Sequence, residues 1–257
     1  GLGDVYKRQQ MPWVGLRNFA TVLADSVFIA SFVQTLVFVA ASVALEVAIG
    51  LGIAMTINMR NNRLTRLTKA LLLLPWAVPP VVNGVMWSYI FNSKYGVLNA
   101  TLHKLGLIDD YIQWVSDPRL ALAAIVIAYV WRTMPFGALL FHAALQTIPD
   151  SLYESAMLDG ATSWQRWRYI TLPLLKPTLM VVLVLRTVFS FMIFDEILAI
   201  TYGGPGDSTW TVAWYIYSFA FRFFKFGPAS AASLLVTLAI AVIAALYIRL
   251  LYQRAEQ

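Results

Sequence analysis

Five stretches of this chain are apolar over the length that a lipid bilayer demands. A hydrocarbon core about 30 Å thick is crossed by roughly 20 apolar residues in a helix, and a helix satisfies its own backbone where no water is available. The runs are Phe28–Ile57, broken only by Glu46; Ala70–Phe91, uncharged but holding Pro75, Pro79 and Pro80; Leu120–Leu145, with Arg132 and His142; Leu174–Ile200, with Lys176, Arg186, Asp195 and Glu196; and Ala229–Leu251. The composition agrees. Sixty percent of the 257 residues are hydrophobic and only 12% are charged, against about 25% charge in an ordinary soluble domain; the mean hydropathy is +0.68. This excludes a soluble enzyme and a disordered chain. With no cysteine, disulfide scaffolds, thiolate catalysis and Cys-ligated metals are excluded too. The predicted fold is all-α, a polytopic transmembrane bundle with five spans. The first run is too short for two crossings and a turn, so it is read as one tilted helix.

Orientation follows Lys and Arg near the span ends. Arg60, Arg63, Arg66 and Lys69 crowd the connector after the first span and place it in the cytoplasm. Alternation then puts 146–173 and the tail with Arg249 and Arg254 inside, and 92–119 and 201–228 outside. Residues 1–27 form an external segment without a signal-peptide pattern, so a further span upstream is expected. Residues 28–257 form the membrane domain, and 1–10 match nothing native in character.

The connector 146–173 carries the most information. Pro149 and Ser151 predict a helix start, with Ser151-x-x-Glu154 in capping-box spacing. Gly160 predicts its stop, and a second short helix runs from about Thr162 to Tyr169. Small residues at Ser155, Ala156, Gly160 and Ala161 would let another surface approach closely. An amphipathic hairpin lying at the interface accounts for the same residues without a function.

The spacing Glu154-x-Ala156-x3-Gly160-x9-Ile170-x-Leu172-Pro173 resembles the EAA loop of ABC-importer permeases, and most closely the carbohydrate-uptake branch, in which Asp159-Gly-Ala161 and Leu172-Pro-x-x-x-Pro177 are also typical. Ser155 stands where alanine is usual. Val14-Gly-Leu-x-Asn18-Phe19, Leu74-Pro75 with Pro79-Pro80, Phe194-Asp195, Gly203-Gly-Pro-Gly206, Tyr215-Ile-Tyr217, Ala220-Phe221 and Gly227-x-Ala229-Ser-Ala231 are similar to further parts of such permeases. The resemblance implies a type I ABC-importer permease fold, with six or more spans in a whole protein. It implies that Glu154, Ser155, Ala156, Asp159 and Gly160 couple the chain to an ATP-hydrolysing subunit. It implies as partners an ATPase dimer, a second homologous permease and an extracytoplasmic solute-binding protein, in a bacterial or archaeal cytoplasmic membrane. The chain has no Gly-x4-Gly-Lys-Ser/Thr loop, so ATP and magnesium are expected on the partner and no cofactor on this chain. Nothing points to nucleic acid.

Ionisable groups at mid-membrane are functional candidates or locked pairs. Glu46, Arg132 and Arg186 fall near mid-depth. In sugar permeases that hold substrate the site lies on the helices flanking the EAA loop; counting from that loop makes Arg132, Phe136, Arg186 and Ser190 candidate lining residues, with Glu46 beside them. Trp131, Phe136 and Phe189 are candidates to cover a sugar ring. Alternatively, Glu46 pairs with one arginine and only locks helices. The two guanidiniums suit neutral hydroxyls and phosphate esters alike. Asp195 and Glu196 are expected at the interface, His103 in solvent and His142 as a polar anchor, and two isolated histidines make no metal site. Trp210, Trp214, Tyr215 and Tyr217 are read as packing and interface-belt residues near the outer surface. The leading function is the permease subunit of an ATP-driven sugar or polyol importer. The runner-up is an ion-gradient-driven carrier, although no internal repeat is visible; a membrane enzyme would lack a catalytic constellation.

Overall fold

The computed structural model describes residues 13–58 and 63–252. Arg60, Arg254 and residues 1–10, named above, lie outside them. Regular structure among the described residues is helical throughout. Among the described residues four helices are long and apolar enough to cross a membrane, five spans if one bent pair counts as a crossing.

A short helix α1 (Arg17–Leu23) leads into α2 (Ser26–Asn58), an uninterrupted helix of 33 residues. At 1.5 Å per residue it is roughly 50 Å long, as a tilted crossing with an extension requires. The second apolar run is not one straight span. It breaks into α3 (Arg63–Ala77) and α4 (Pro80–Ile90), bent by 96°. Pro79 drives Val78 away from helical geometry, and Pro80 restarts a helix at its first position, where a missing N–H costs nothing.

In the connector that follows, α5 (Val97–Lys104) is tied to the next loop by the buried Asn99, whose amide donates to the Ile112 carbonyl at 2.8 Å and accepts from the Trp114 indole at 2.9 Å. The third span is α6 (Ala121–Leu145), as the apolar run predicts.

The elbow differs in two respects from its sequence reading. The helix α7 (Asp150–Leu158) starts after Pro149 with no side-chain cap, so Ser151 and Glu154 form no capping box. The box is made one helix later by Thr162 and Gln165, a Thr-x-x-Gln pattern of the same class. Gly160 does end α7: it has φ +77°, and the Gly160 and Ala161 N–H groups bond back to Met157 and Ala156, the paired bonds of a Schellman stop. Second, no separate short helix follows. Ser163 to Phe191 is one helix, α8, with a π-turn at Trp167–Thr171 where Leu172 N–H reaches Trp167 O. Pro173 has no N–H to donate, and the widened turn lies just before it.

The fourth apolar run also divides. α8 stops at Phe191, three residues unwind, and α9 (Asp195–Ile200) begins with both acids in its first turn, where the helix dipole favours them. After α10 (Val212–Tyr217) and a second π-turn (Ser218–Arg222), α11 (Phe226–Tyr252) closes the bundle.

The core lies where α2, α6, α9, α10 and the end of α8 meet, around Phe38, Ile125, Phe191, Ile197, Trp214 and Tyr215. Trp214 and Tyr215 are fully buried and are not belt residues. Trp214 stacks on Phe194 at 5.6 Å, and Tyr215 stacks on Phe219 at 4.0 Å. The Tyr215 hydroxyl donates to Asp25 at 2.7 Å; burial and that bond push it well above the usual phenol range, so it remains a donor.

The bent segment is held to α9 by close backbone approach. A β-carbon on Gly84 would lie 2.5 Å from Ala199 Cβ and 3.3 Å from Glu196 Cα. Gly84→Val is therefore expected to pry α4 off α9 at a cost of about 1–3 kcal/mol. Thermal unfolding of the detergent-solubilised protein checks this; a midpoint unchanged from wild type would mean that the two helices do not touch there.

Candidate functional site

The 96° bend brings the Trp76 end of α3 over the middle of α6, opposite the last turns of α8. Between them lies a cavity of about 500 Å³, lined by Trp76, Tyr129, Arg132, Thr133, Phe136, Arg186, Phe189, Asp195 and Glu196 among others. Trp76 and Phe136 stack with ring centres 6.2 Å apart, giving an apolar platform on one wall. Tyr129 lies between the two arginines: the Arg132 and Arg186 guanidinium carbons stand 5.9 Å and 5.5 Å from its ring centre.

Both arginines are paired. Arg186 makes a two-point pair with Glu46, through Nε to Oε2 and through Nη2 to Oε1 at 2.9 Å. Glu46 also accepts from Thr133 at 2.6 Å, and Arg186 Nη2 donates to the Tyr129 hydroxyl at 3.1 Å. A hydroxyl chain continues from Tyr129 through Ser190 to Ser42, each step 3.3 Å. The network joins α2, α6 and α8, and Glu46 is only 1% exposed. Arg132 Nε pairs with Glu196 Oε1 at 2.9 Å, and the Asn83 amide reaches the same oxygen at 3.5 Å while holding the Ala128 carbonyl at 3.1 Å. This second network joins the bent segment to α6 and α9.

Arg132, Phe136 and Arg186 thus face one cavity, as counted from the sequence, and Phe189 joins them. Ser190 and Glu46 do not line it. They stand behind Arg186, because the side of α8 carrying Ser190 packs on α2. Glu196, expected at the interface, is 2% exposed and neutralises Arg132. Trp131 packs edge-on against Trp87, and Trp76 takes the place expected of it. His103 is exposed beside Tyr111. His142 is buried, and neither ring nitrogen has a partner among the described residues, so it anchors nothing there. Trp76, Tyr129 and Thr133 are lining residues that sequence reasoning missed, and Asp195 and Glu196, expected at the interface, line the cavity too; Pro75, Pro79 and Pro80 stand out in the second run, but by themselves they fix neither the bend nor what it covers.

The second feature is the elbow. Glu154, Ser155, Asp159 and Gly160 are exposed, Ala156 is half-buried, and no residue of α7 is buried. Beside Glu154, Leu158 is 90% exposed. α7 is fixed to the bundle by Tyr153, whose hydroxyl lies 2.9 Å from that of Thr171 on α8. Trp164 and Trp167 stack at 4.9 Å on the other arm.

Fold and site together define an all-helical polytopic membrane protein with a cavity among its helices, largely apolar but carrying four charged side chains, and an exposed elbow between two of them. Over residues 48–257 the chain matches the family described as binding-protein-dependent transport system inner membrane component, and it belongs to that family: it is a multi-pass inner-membrane permease of a binding-protein-dependent ABC importer. It is 39% identical over 232 residues to the trehalose/maltose transport system permease protein MalF of Thermococcus litoralis, covering 90% of this chain and 77% of that one. It is 36% identical over 239 residues to the sulfoquinovosyl glycerol transport system permease protein SmoG of Agrobacterium fabrum, covering 93% and 77%. Its fold matches a chain of a bacterial alginate ABC transporter, solved with an alginate pentasaccharide-bound periplasmic protein, with a TM-score of 0.85 at 24% identity, covering all of this chain and 88% of that one. The bent α3–α4 pair, a feature that gradient-driven carriers also use, here belongs to an ABC permease.

Proposed function

We propose that this permease carries a sugar or polyol through the cavity between α3, α6 and α8, and that α7 is the element an ATPase subunit grips. One observation carries the reading most directly: α6 and α8, which supply Arg132, Phe136 and Arg186 to the cavity, are the two helices joined by the exposed elbow. α8 runs unbroken from Ser163 to Phe191, so a push on the elbow reaches Arg186 along one rod. The elbow residues Glu154, Ser155, Ala156, Asp159 and Gly160 belong to the coupling loop 146–173, and the basic residues Arg60, Arg63, Arg66 and Lys69, on the same side by alternation of spans, support its cytoplasmic position. ATP and magnesium belong to the partner, and closure of two ATPase subunits rocks α6 and α8 between inward-open and outward-open states. A second homologous permease completes the pathway, and a solute-binding protein delivers cargo from outside. Relatives named for trehalose and maltose and for sulfoquinovosyl glycerol support a glycosidic cargo, as does a cavity with an aromatic platform and guanidinium donors.

The test is reconstitution of the four components in proteoliposomes. Cargo-stimulated ATP hydrolysis and ATP-dependent uptake are expected. Uptake that follows a proton or sodium gradient without ATP would sink the proposal.

A further inference from the structure

We infer that the cavity selects uncharged, polyhydroxylated cargo over anionic cargo, and that Asp195 sets this preference. The inference rests on the cavity being the solute path. Two arginines in a pocket ordinarily suggest an anion site. Here both charges are already spent. Arg186 is bound to Glu46 and Arg132 to Glu196, and the two carboxylate side chains are 2% and 3% exposed, where water screens little of the pairing. Asp195 lines the same cavity, is only partly buried, and has no ion-pair partner among the described residues. Counted formally, the lining sets Arg132 and Arg186 against Glu196 and Asp195, and Glu46 behind Arg186 brings the cluster to one net negative charge.

A phosphate or carboxylate would bind an arginine at full strength only by displacing Glu196 or Glu46. That would strand a buried carboxylate without its partner, the costly way to break a buried pair. It would also meet Asp195 as a like charge. A hydroxyl needs neither concession. Among the described residues Arg132 uses only Nε in its pair, leaving its terminal nitrogens to donate to hydroxyl oxygens, and Asp195 accepts hydroxyl protons. The stacked Trp76 and Phe136 rings offer their faces to the C–H surface of a sugar ring.

Equilibrium binding to the assembled importer in nanodiscs tests this, with trehalose and maltose and their 6-phosphate esters as probes. Each neutral sugar is expected to bind at least tenfold tighter than its ester. Asp195→Asn is expected to narrow that ratio at least threefold, and Glu196→Gln to narrow it further. Asp195→Asn breaks no pair, so it decides the matter even where Glu196→Gln does not fold. Esters binding as tightly as the sugars, or a ratio unmoved by Asp195→Asn, would overturn the inference. Failure of the underlying reading looks different: no probe binds saturably, and Phe136→Ala leaves ATP-dependent uptake intact.

Discussion

Replacing Arg186 with methionine is expected to destabilise the protein by about 3–5 kcal/mol, more than any other single change to the cavity. The loss does not measure the strength of the Arg186–Glu46 pair. Two buried charges together are worth little net, because desolvation offsets their attraction; removing one leaves the other buried and unpaired. Glu46 would keep only its Thr133 bond, and the Tyr129 hydroxyl would lose its guanidinium donor. The double variant Glu46→Gln/Arg186→Met removes both charges and is expected to recover most of the loss. Thermal midpoints of the purified complex, together with the yield of monodisperse protein, decide this. A double variant as unstable as Arg186→Met would show that packing of the guanidinium stem, not the stranded carboxylate, is what matters.

Glu154→Lys is expected to abolish uptake while leaving insertion and stability at wild-type levels. Glu154 is exposed and makes no hydrogen bond or ion pair within the described chain, so its removal takes nothing from the fold. At a docked interface the same residue would be desolvated. Losing one partner of such a pair costs roughly 2–5 kcal/mol, or about 30-fold or more in affinity, and reversal of charge adds repulsion. Co-purification of the ATPase subunit and cargo-stimulated hydrolysis should fall together, with Glu154→Gln intermediate. Full uptake by the lysine variant would reduce α7 to a surface hairpin.

The parts of the fold legible in the sequence are those governed by local rules. Apolar length marked α2, α6 and α11 to within a few residues, because a bilayer sets a minimum span. Gly160 marked the end of α7, because a Schellman stop needs a positive φ that glycine supplies cheaply. Spacing from Glu154 to Pro173 marked the elbow. Local rules failed where two patterns competed. Ser151-x-x-Glu154 and Thr162-x-x-Gln165 are both capping boxes in spacing, and only the second coincides with a helix start. Apolar content likewise carried the fourth run past Phe191, although two acids at 195 and 196 were free to begin a new helix.

By itself, the sequence determined that this chain lives in a membrane, which runs are long and apolar enough to cross it, and where the elbow between α6 and α8 lies; each follows from hydrophobic length, backbone conformation or spacing along one segment. Only the tertiary structure decided which charge neutralises which. Glu46 and Arg186 are 140 residues apart, Arg132 and Glu196 are 64 apart, and no periodicity links either pair. The first pair depends on α2 packing against α8, and the second on α9 folding back between α6 and the bent segment, whose Asn83 reaches Glu196. That geometry turned two arginines that could suit hydroxyls or phosphate esters alike into paired charges, and left Asp195 as the unpaired charge among the described residues lining the cavity.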